Sequence, residues 1–149
     1  MKLKTGVWVA VADGGHCVIF ENQGTAVHPE LKARRTYDQA VPRTHELGRD
    51  QAPRSIKSAD GRRSSQEAPD LHQLAEDRFI EQIVADLETD AAKGACKALV
   101  VVAPPVALGR IRKRASSDLS KRVIAWIDKD LTKHPVPAIA EAVSRALEA

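Results

Sequence analysis

Near its start the chain reads Val7-Trp8-Val9-Ala10-Val11-Ala12-Asp13-Gly14-Gly15, an uninterrupted apolar run that ends in a turn sequence. A strand that is apolar on both faces is typical of the centre of a sheet. Because Asp and Gly tolerate positive φ, Asp13-Gly14-Gly15 predicts a tight turn, and His16–Glu21 the strand that returns. A second turn at Asn22-Gln23-Gly24 then predicts a third strand over Thr25–Leu31. The N-terminal part is thus expected to be an antiparallel three-strand meander.

The second half of the chain alternates helix and strand patterns. The predicted elements, in order, are a helix over Leu71–Ala92, a strand over Ala98–Ala103, helical sequence from Val106 to about Lys121 with a break near Ser116, a strand over Arg122–Asp128, and a helix over Pro137–Leu147. Arg122–Asp128 fits either a strand or a helix, and its β-branched and aromatic content favours the strand. We therefore predict a single α/β domain over residues 1–149, with a mixed sheet in which the antiparallel meander is followed by α-β-α-β-α.

A long polar segment separates the two halves. In residues 41–69 the only large apolar side chains are Val41, Leu47 and Ile56. A connection this long inside a compact domain is uncommon and is typically functional or disordered. From Lys32 to Arg63 the chain has nine Lys/Arg against four Asp/Glu, whereas from Ser64 to Lys93 it has two against eight. The sequence therefore predicts a long, basic, mobile loop at 41–69, next to an acidic helix.

The composition limits the classes of function. The chain has 149 residues, of which 43% are apolar, and a formal net charge of +3, which is typical of one soluble domain. Only 3% of the residues are aromatic, which weakens any role in which bases stack on a row of aromatic side chains. No run approaches the ~18–20 apolar residues of a membrane span, and no signal-cleavage pattern follows the N-terminus. We expect a cytoplasmic protein without a membrane partner. Cys17 and Cys96 lack paired-ligand spacing and are expected to be buried apolar side chains.

Two groups of basic residues are the main candidate nucleic-acid-binding residues. The first group is Arg34, Arg35, Arg43, Arg49, Arg54, Arg62 and Arg63. The second, on the helix after Pro104-Pro105, is Arg110, Arg112, Lys113 and Arg114. Arginine dominates both groups, as suits bidentate recognition of phosphate, and such contacts give salt-dependent affinity with little sequence selectivity. The alternative is that these are solvated surface charges, some of them paired with the acidic helix.

Catalytic chemistry has little support in the sequence. An RNase H-type nuclease needs several carboxylates around metal ions. Asp13 ends the first strand, and Glu76 or Asp77 could supply a second ligand, but the strand Ala98–Ala103 is followed by two prolines and no acid. Asp13 is better explained as a turn residue. The histidines and cysteines form no nucleophile motif, and a Gly-rich phosphate loop is absent because Gly14-Gly15 closes a hairpin. We expect no catalytic residue, no metal and no cofactor.

Three motifs resemble the bacterial host attachment protein family. They are Trp8–Gly14, Ala103-Pro104-Pro105 with Leu108-Gly109-Arg110-Ile111-Arg112, and Lys129–Pro135. That family is regarded as a bacterial offshoot of the middle domain of archaeo-eukaryotic release factors. The resemblance covers nearly the whole chain and implies the topology of that middle domain, which is similar to RNase H-like proteins: an antiparallel meander followed by two α-β units.

The resemblance also gives the segment at 41–69 a place in the family pattern. Release factors carry Gly-Gly-Gln at the tip of a basic loop at this point, and here the sequence reads Gly61-Arg62-Arg63-Ser64-Ser65-Gln66. Gln66 would be the counterpart of the glutamine. Ser64-Ser65 stand where the glycines would be, and side chains disfavour the unusual backbone conformations that glycine allows.

The expected function is therefore binding without catalysis. The resemblance and the basic residues together predict a small non-enzymatic protein that binds RNA or a ribosomal surface through its basic loop. Two alternatives stay open. One is a protein-interaction module with a protein partner and an indirect effect on cell attachment. The other is a hydrolase on a degenerate release-factor scaffold, in which Gln66 positions a water molecule.

Overall fold

The computed structural model describes residues 1–39 and 71–148. Within these ranges the strands are β1 (Trp8–Ala12), β2 (His16–Asn22), β3 (Leu31–Asp38), β4 (Leu99–Ala103) and β5 (Val123–Asp128). They form one five-stranded sheet in the order β3-β2-β1-β4-β5. β2 is antiparallel to both β1 and β3, whereas β4 is parallel to β1 and β5 is parallel to β4. The predicted mixed sheet with an antiparallel meander is confirmed.

In the same two ranges the helices are α1 (Leu71–Ala92), α2 (Pro105–Arg114), α3 (Ser117–Arg122) and α4 (Val136–Glu148). Their ends follow local sequence signals. Gly94, at φ +80°, lies just beyond α1 in the left-handed conformation that glycine favours. Ser116 separates α2 from α3 and caps α3, because its hydroxyl accepts the backbone N–H of Leu119 at 3.0 Å. The predicted break near Ser116 is confirmed. Within the described ranges, no helix is long and apolar enough to cross a membrane.

The central strands β1 and β4 are buried on both faces, as their apolar runs predict. Trp8, Ala10 and Ala12 of β1 pack in one cluster with side chains of α1, α2 and α3. Val9 and Val11 belong to a second cluster, on the opposite face, with side chains of α4. Successive side chains of a strand point to opposite faces, so one apolar run serves both layers.

The two cysteines lie in the first of these clusters, and both are free. Burial raises the pKa of the Cys17 thiol to about 12 and that of Cys96 to about 11. Both thiols therefore stay protonated at neutral pH. They act as small apolar side chains, as the sequence predicted.

The predicted position of the third strand, Thr25–Leu31, is wrong. The strand begins at Leu31 and continues to Asp38, and residues 23–30 form a loop around the buried side chain of Asn22. Asn22 Oδ1 accepts the backbone N–H groups of Gly24 at 2.9 Å and Glu30 at 2.8 Å. A side chain thus satisfies backbone groups that a ladder would otherwise pair. β3 itself was missed because it is polar, with Leu31 as its one buried residue.

Both outer strands of the sheet carry an irregularity. In β3 the register passes from Ile19↔Arg35 to Phe20↔Ala33, which leaves Arg34 as an extra residue. In β5 it passes from Leu99↔Val123 to Val100↔Ala125, which leaves Ile124 as an extra residue. Each of these two register shifts is that of a β-bulge, which bends a strand and changes the direction of its side chains.

Candidate nucleic-acid interface

The structure separates the predicted basic residues into groups with different surroundings. Arg34 and Arg35 lie on β3, which extends beyond the predicted end of the third strand at Leu31. The second predicted group, Arg110, Arg112, Lys113 and Arg114, lies on α2 as expected. The remaining candidates lie outside the described residues; they are Arg43, Arg49, Arg54, Arg62, Arg63 and Gln66.

The two arginines of β3 are held by contacts within the fold. Arg34 Nη1 donates to Glu21 Oε1 at 2.8 Å, and its guanidinium carbon lies 4.3 Å from the ring centroid of Trp8. Arg35 is ion-paired with Asp90 near the end of α1, and this hydrogen-bonded pair raises the pKa of Arg35. Such contacts fix β3 to the rest of the sheet and to α1. They leave Arg34 and Arg35 less available to an external phosphate.

One face of α2 lies against the acidic face of α1. Arg110 Nη1 donates to Glu76 Oε1 at 2.9 Å, and Arg114 Nη1 donates to Glu81 Oε2 at 3.0 Å. Asp77 Oδ1 lies between them, 3.5 Å from Arg110 Nε and 3.9 Å from Arg114 Nη2. Part of the second basic group is therefore paired with the acidic helix. Pairs this exposed are worth about 0–1 kcal/mol each, so a stronger anion could compete for the arginines.

The other two basic residues of α2 are exposed and have no carboxylate within ion-pair distance among the described residues. They are Arg112 and Lys113. The guanidinium carbon of Arg112 lies 5.2 Å from the ring centroid of Trp126 on β5. Lys113 borders a surface depression of about 440 Å³ that is also lined by Asp77, Arg110 and Arg114. The uncompensated positive charge of α2 is thus concentrated in its last turn.

Sequence reasoning missed Trp126 as a site residue and used it only to predict a strand. Nothing in the spacing of the sequence links Trp126 to Arg112. The link comes from the sheet order, which makes β5 an outer strand, and from the packing of α2 beside it. The available signal was that Trp126 is one of only two tryptophans in the chain.

Asp13 lies at the end of β1, where the nuclease hypothesis placed a metal ligand. Its Oδ1 accepts the backbone N–H groups of Gly15 at 2.8 Å and His16 at 2.7 Å, and its Oδ2 accepts the hydroxyl of Thr132 at 3.1 Å. Partial burial raises the pKa of Asp13, but these hydrogen bonds outweigh it and lower the pKa overall. Asp13 therefore has the contacts of a turn residue. In residues 1–39 and 71–148, no group of three His, Cys, Asp or Glu side chains is arranged to hold a metal ion.

The β1–β2 turn also contacts the end of β3 and the first turns of α1. Gln39 donates its backbone N–H to Gly15 O at 2.8 Å, and its Nε2 donates to the carbonyls of Gly14 and Ala75, each at 3.1 Å. The carboxylate of Glu76 packs on Gly14 so closely that a Cβ there would lie 2.8 Å from Glu76 Cδ. The end of β3 and the first turns of α1 are thus joined at one turn. Glu76 connects that turn to Arg110 of α2.

Comparison with solved structures finds proteins of translation termination at low similarity. An archaeal translation termination factor, aRF1, is 13% identical with a TM-score of 0.43. Dom34 of S. cerevisiae, a translation termination-like factor involved in RNA quality control pathways and interacting with Hbs1, is 12% identical with a TM-score of 0.39. The alignments cover 95% and 97% of this chain but only 39% and 37% of theirs, so this chain spans about two fifths of their length.

The sequence comparisons are more decisive. No curated protein matches the sequence. Residues 6–143, nearly the whole chain, match the sequence profile of bacterial archaeo-eukaryotic release factor family 12. The release-factor part of the resemblance seen in the sequence is thereby confirmed. The chain belongs to bacterial archaeo-eukaryotic release factor family 12.

Proposed function

We propose that this protein binds RNA or a ribosomal RNA surface through the basic residues of α2, without catalysing a reaction. One observation carries the proposal: Arg112 and Lys113 are exposed in the last turn of α2, and no carboxylate of the described residues lies within ion-pair distance of either. Membership of a release-factor family supports a partner in translation. Phosphates are the abundant anions of such a partner, and Lys/Arg contacts to phosphate dominate nucleic-acid affinity.

The electrostatics of α2 favour its C-terminal turn over the rest of the helix. A helix C-terminus carries partial negative charge, which stabilises Arg112, Lys113 and Arg114 where they are. Arg110 and Arg114 share their charge with carboxylates of α1, so a phosphate must displace or tolerate those carboxylates to reach them. Lys113 has no such competitor among the described residues. It should therefore contribute more to binding than its paired neighbours.

The segment that contains Arg54, Arg62 and Arg63 is proposed to add to this interface. Gln39 and Ala75 are held at the same turn, and Glu76 links that turn to Arg110. We therefore propose that an RNA bound on α2 lies near the turn at which Gln39 and Ala75 are held, and that residues 41–69 add contacts to it. Changing Arg54, Arg62 and Arg63 together to Glu is expected to reduce co-sedimentation with ribosomes. Unchanged sedimentation at low salt would exclude this contribution.

The absence of catalysis is also a proposal, supported by Ser64-Ser65 in place of the two glycines of the family loop. The competing hydrolase hypothesis requires Gln66 to position water. It predicts that the wild-type protein releases peptide from peptidyl-tRNA and that Gln66→Ala abolishes this release. We expect no release above background by either protein.

The decisive test of RNA binding is a charge reversal at Lys113. Lys113→Glu is expected to weaken binding of a labelled RNA oligonucleotide roughly three- to tenfold and to lower the salt dependence by about one ion. Fluorescence anisotropy over a salt series measures both. The matched control is Arg145→Glu on α4, where the wild-type side chain is 78% exposed and paired with Glu141. Equal losses in the two variants, or binding that salt does not change, would contradict the proposal.

A protein-interaction module with an indirect role in cell attachment is the competing function. It predicts that a protein partner stays bound after nuclease treatment and in high salt. Under the RNA-binding proposal, both treatments release the bound material. A pull-down in which one half is treated with nuclease and the other is washed in high salt therefore distinguishes protein binding from RNA binding.

A further inference from the structure

We infer that Arg112 and Trp126 form a stacking site for one unpaired base of a single-stranded RNA. The inference rests on the proposed RNA binding and narrows its substrate class from RNA in general to RNA with exposed base faces. Arg112 is exposed, Trp126 is partly exposed, and the guanidinium carbon lies 5.2 Å from the indole centroid.

The pair places a planar cationic group over an aromatic ring on the outer strand β5. Guanidinium groups are planar and pack over aromatic faces, which orients Arg112 on the ring of Trp126. Because Arg112 is exposed, the side of its guanidinium that faces away from the ring is accessible to a ligand. Unpaired bases stack on both aromatic rings and arginine planes. Lys113 is exposed in the same helical turn and is available to a phosphate of the same RNA.

This pair differs from the other arginine–aromatic pairs among the described residues. Arg34 lies over Trp8, but the ring of Trp8 is only 1% exposed and Arg34 is bound to Glu21 at 2.8 Å. Arg35 lies 5.8 Å from the ring of Tyr37, but it is ion-paired with Asp90. Within residues 1–39 and 71–148 no carboxylate pairs with Arg112, so its hydrogen-bonding edge is available there for a base or a phosphate.

The site accounts for a single base only. With 3% aromatic residues, the chain has no row of rings along which successive bases could stack. In an A-form duplex the base faces are occupied by their neighbours. The surface should therefore prefer an unpaired base in a loop, bulge or single strand to the interior of a duplex.

Tryptophan fluorescence can test the stacking site, because only one of the two tryptophans of the chain is partly exposed. Trp8 is buried, so a change of indole emission when RNA binds reports on Trp126. We expect a single-stranded oligoadenylate to quench emission of the wild-type protein, and a blunt RNA duplex of equal length to quench it much less. Trp126→Phe should remove the quenching. Anisotropy of the same labelled oligonucleotides measures binding independently of the tryptophans.

Arg112→Lys keeps the charge and removes the planar guanidinium, and because position 112 is exposed the variant is expected to fold like the wild type. Its affinity for the single strand should fall roughly fivefold or more, with little change for the duplex. Arg34→Lys is the matched control and should bind like the wild type. If RNA binds without quenching, or if Arg112→Lys binds the single strand as tightly as the wild type, the stacking site is wrong while RNA binding stands. If neither RNA binds at low salt, the proposed function fails and the stacking site fails with it.

Discussion

The chain contains two tryptophans, each with an arginine over its ring, and the two pairs are in opposite circumstances. Trp8 lies on the central strand β1 and is buried beneath Arg34, which Glu21 holds. Trp126 lies on the outer strand β5 and is partly exposed beneath Arg112. The same residue types therefore pack a core in one place and present a charged plane to solvent in the other. Strand position and the presence of a carboxylate make the difference.

The largest expected effect is a difference between the two tryptophans in how much each contributes to the stability of the protein. Trp8→Ala should lower the free energy of unfolding by about 3–5 kcal/mol, because it removes a fully buried side chain and leaves a cavity. Trp126→Ala should cost about 1–2 kcal/mol, because part of the ring is already in water. Urea unfolding followed by circular dichroism measures both. Equal losses would mean that Trp126 is as much a core residue as Trp8, and the contrast would not hold.

A second experiment gives the exposed Arg112–Trp126 pair a neighbouring carboxylate, which the buried Arg34–Trp8 pair already has in Glu21. Gly109 lies in α2, one turn before Arg112 and Lys113, and a Cβ there would meet no atom within 4 Å. Gly109→Glu therefore places a carboxylate three residues before Arg112 and four before Lys113, where it can pair with both. RNA affinity should fall roughly three- to tenfold as these charges are neutralised. Gly109→Gln is the uncharged control, and an equal loss there would show that shape, and not charge, limits binding.

The smallest expected effect concerns the carboxylate of the buried pair. Glu21→Gln removes the ion-pair partner of Arg34 and should lower stability by at most about 1 kcal/mol, less in high salt. RNA affinity should stay unchanged, because the ring beneath Arg34 is buried whether or not Glu21 is charged. Thermal unfolding and RNA anisotropy check the two statements. A gain in RNA affinity would mean that the carboxylate alone keeps the first pair from binding.

Much of the fold was predictable because its central elements have clear signals in their own local sequence. The predicted helix over Leu71–Ala92 has the observed bounds, since its apolar period and the glycine beyond it are local signals. β4 is likewise an apolar run, with Lys97 before it and Pro104-Pro105 after it. β3 was misplaced because an outer strand needs few apolar residues, and because the buried side chain of Asn22, not a ladder, organises residues 23–30.

The candidate site was predictable as a set of residues but not as an arrangement. The sequence singled out all four basic residues of α2. It did not reveal that Arg110 and Arg114 face carboxylates of α1 while Arg112 faces Trp126, because those contacts depend on how helices cross the sheet. Local patterns identify charges. Packing decides which of them are compensated.

The extra residues in the two outer strands bear on how the protein behaves when concentrated. A regular outer strand offers a row of free backbone groups on which another molecule can add a strand, the first step of edge-to-edge aggregation. Here Arg34 interrupts one border of the sheet and Ile124 the other. The border at β3 is also charged, whereas β5 is apolar from Val123 to Ile127 and depends more on its bulge. Removing the extra residue from β5 should therefore promote self-association more than the same deletion in β3.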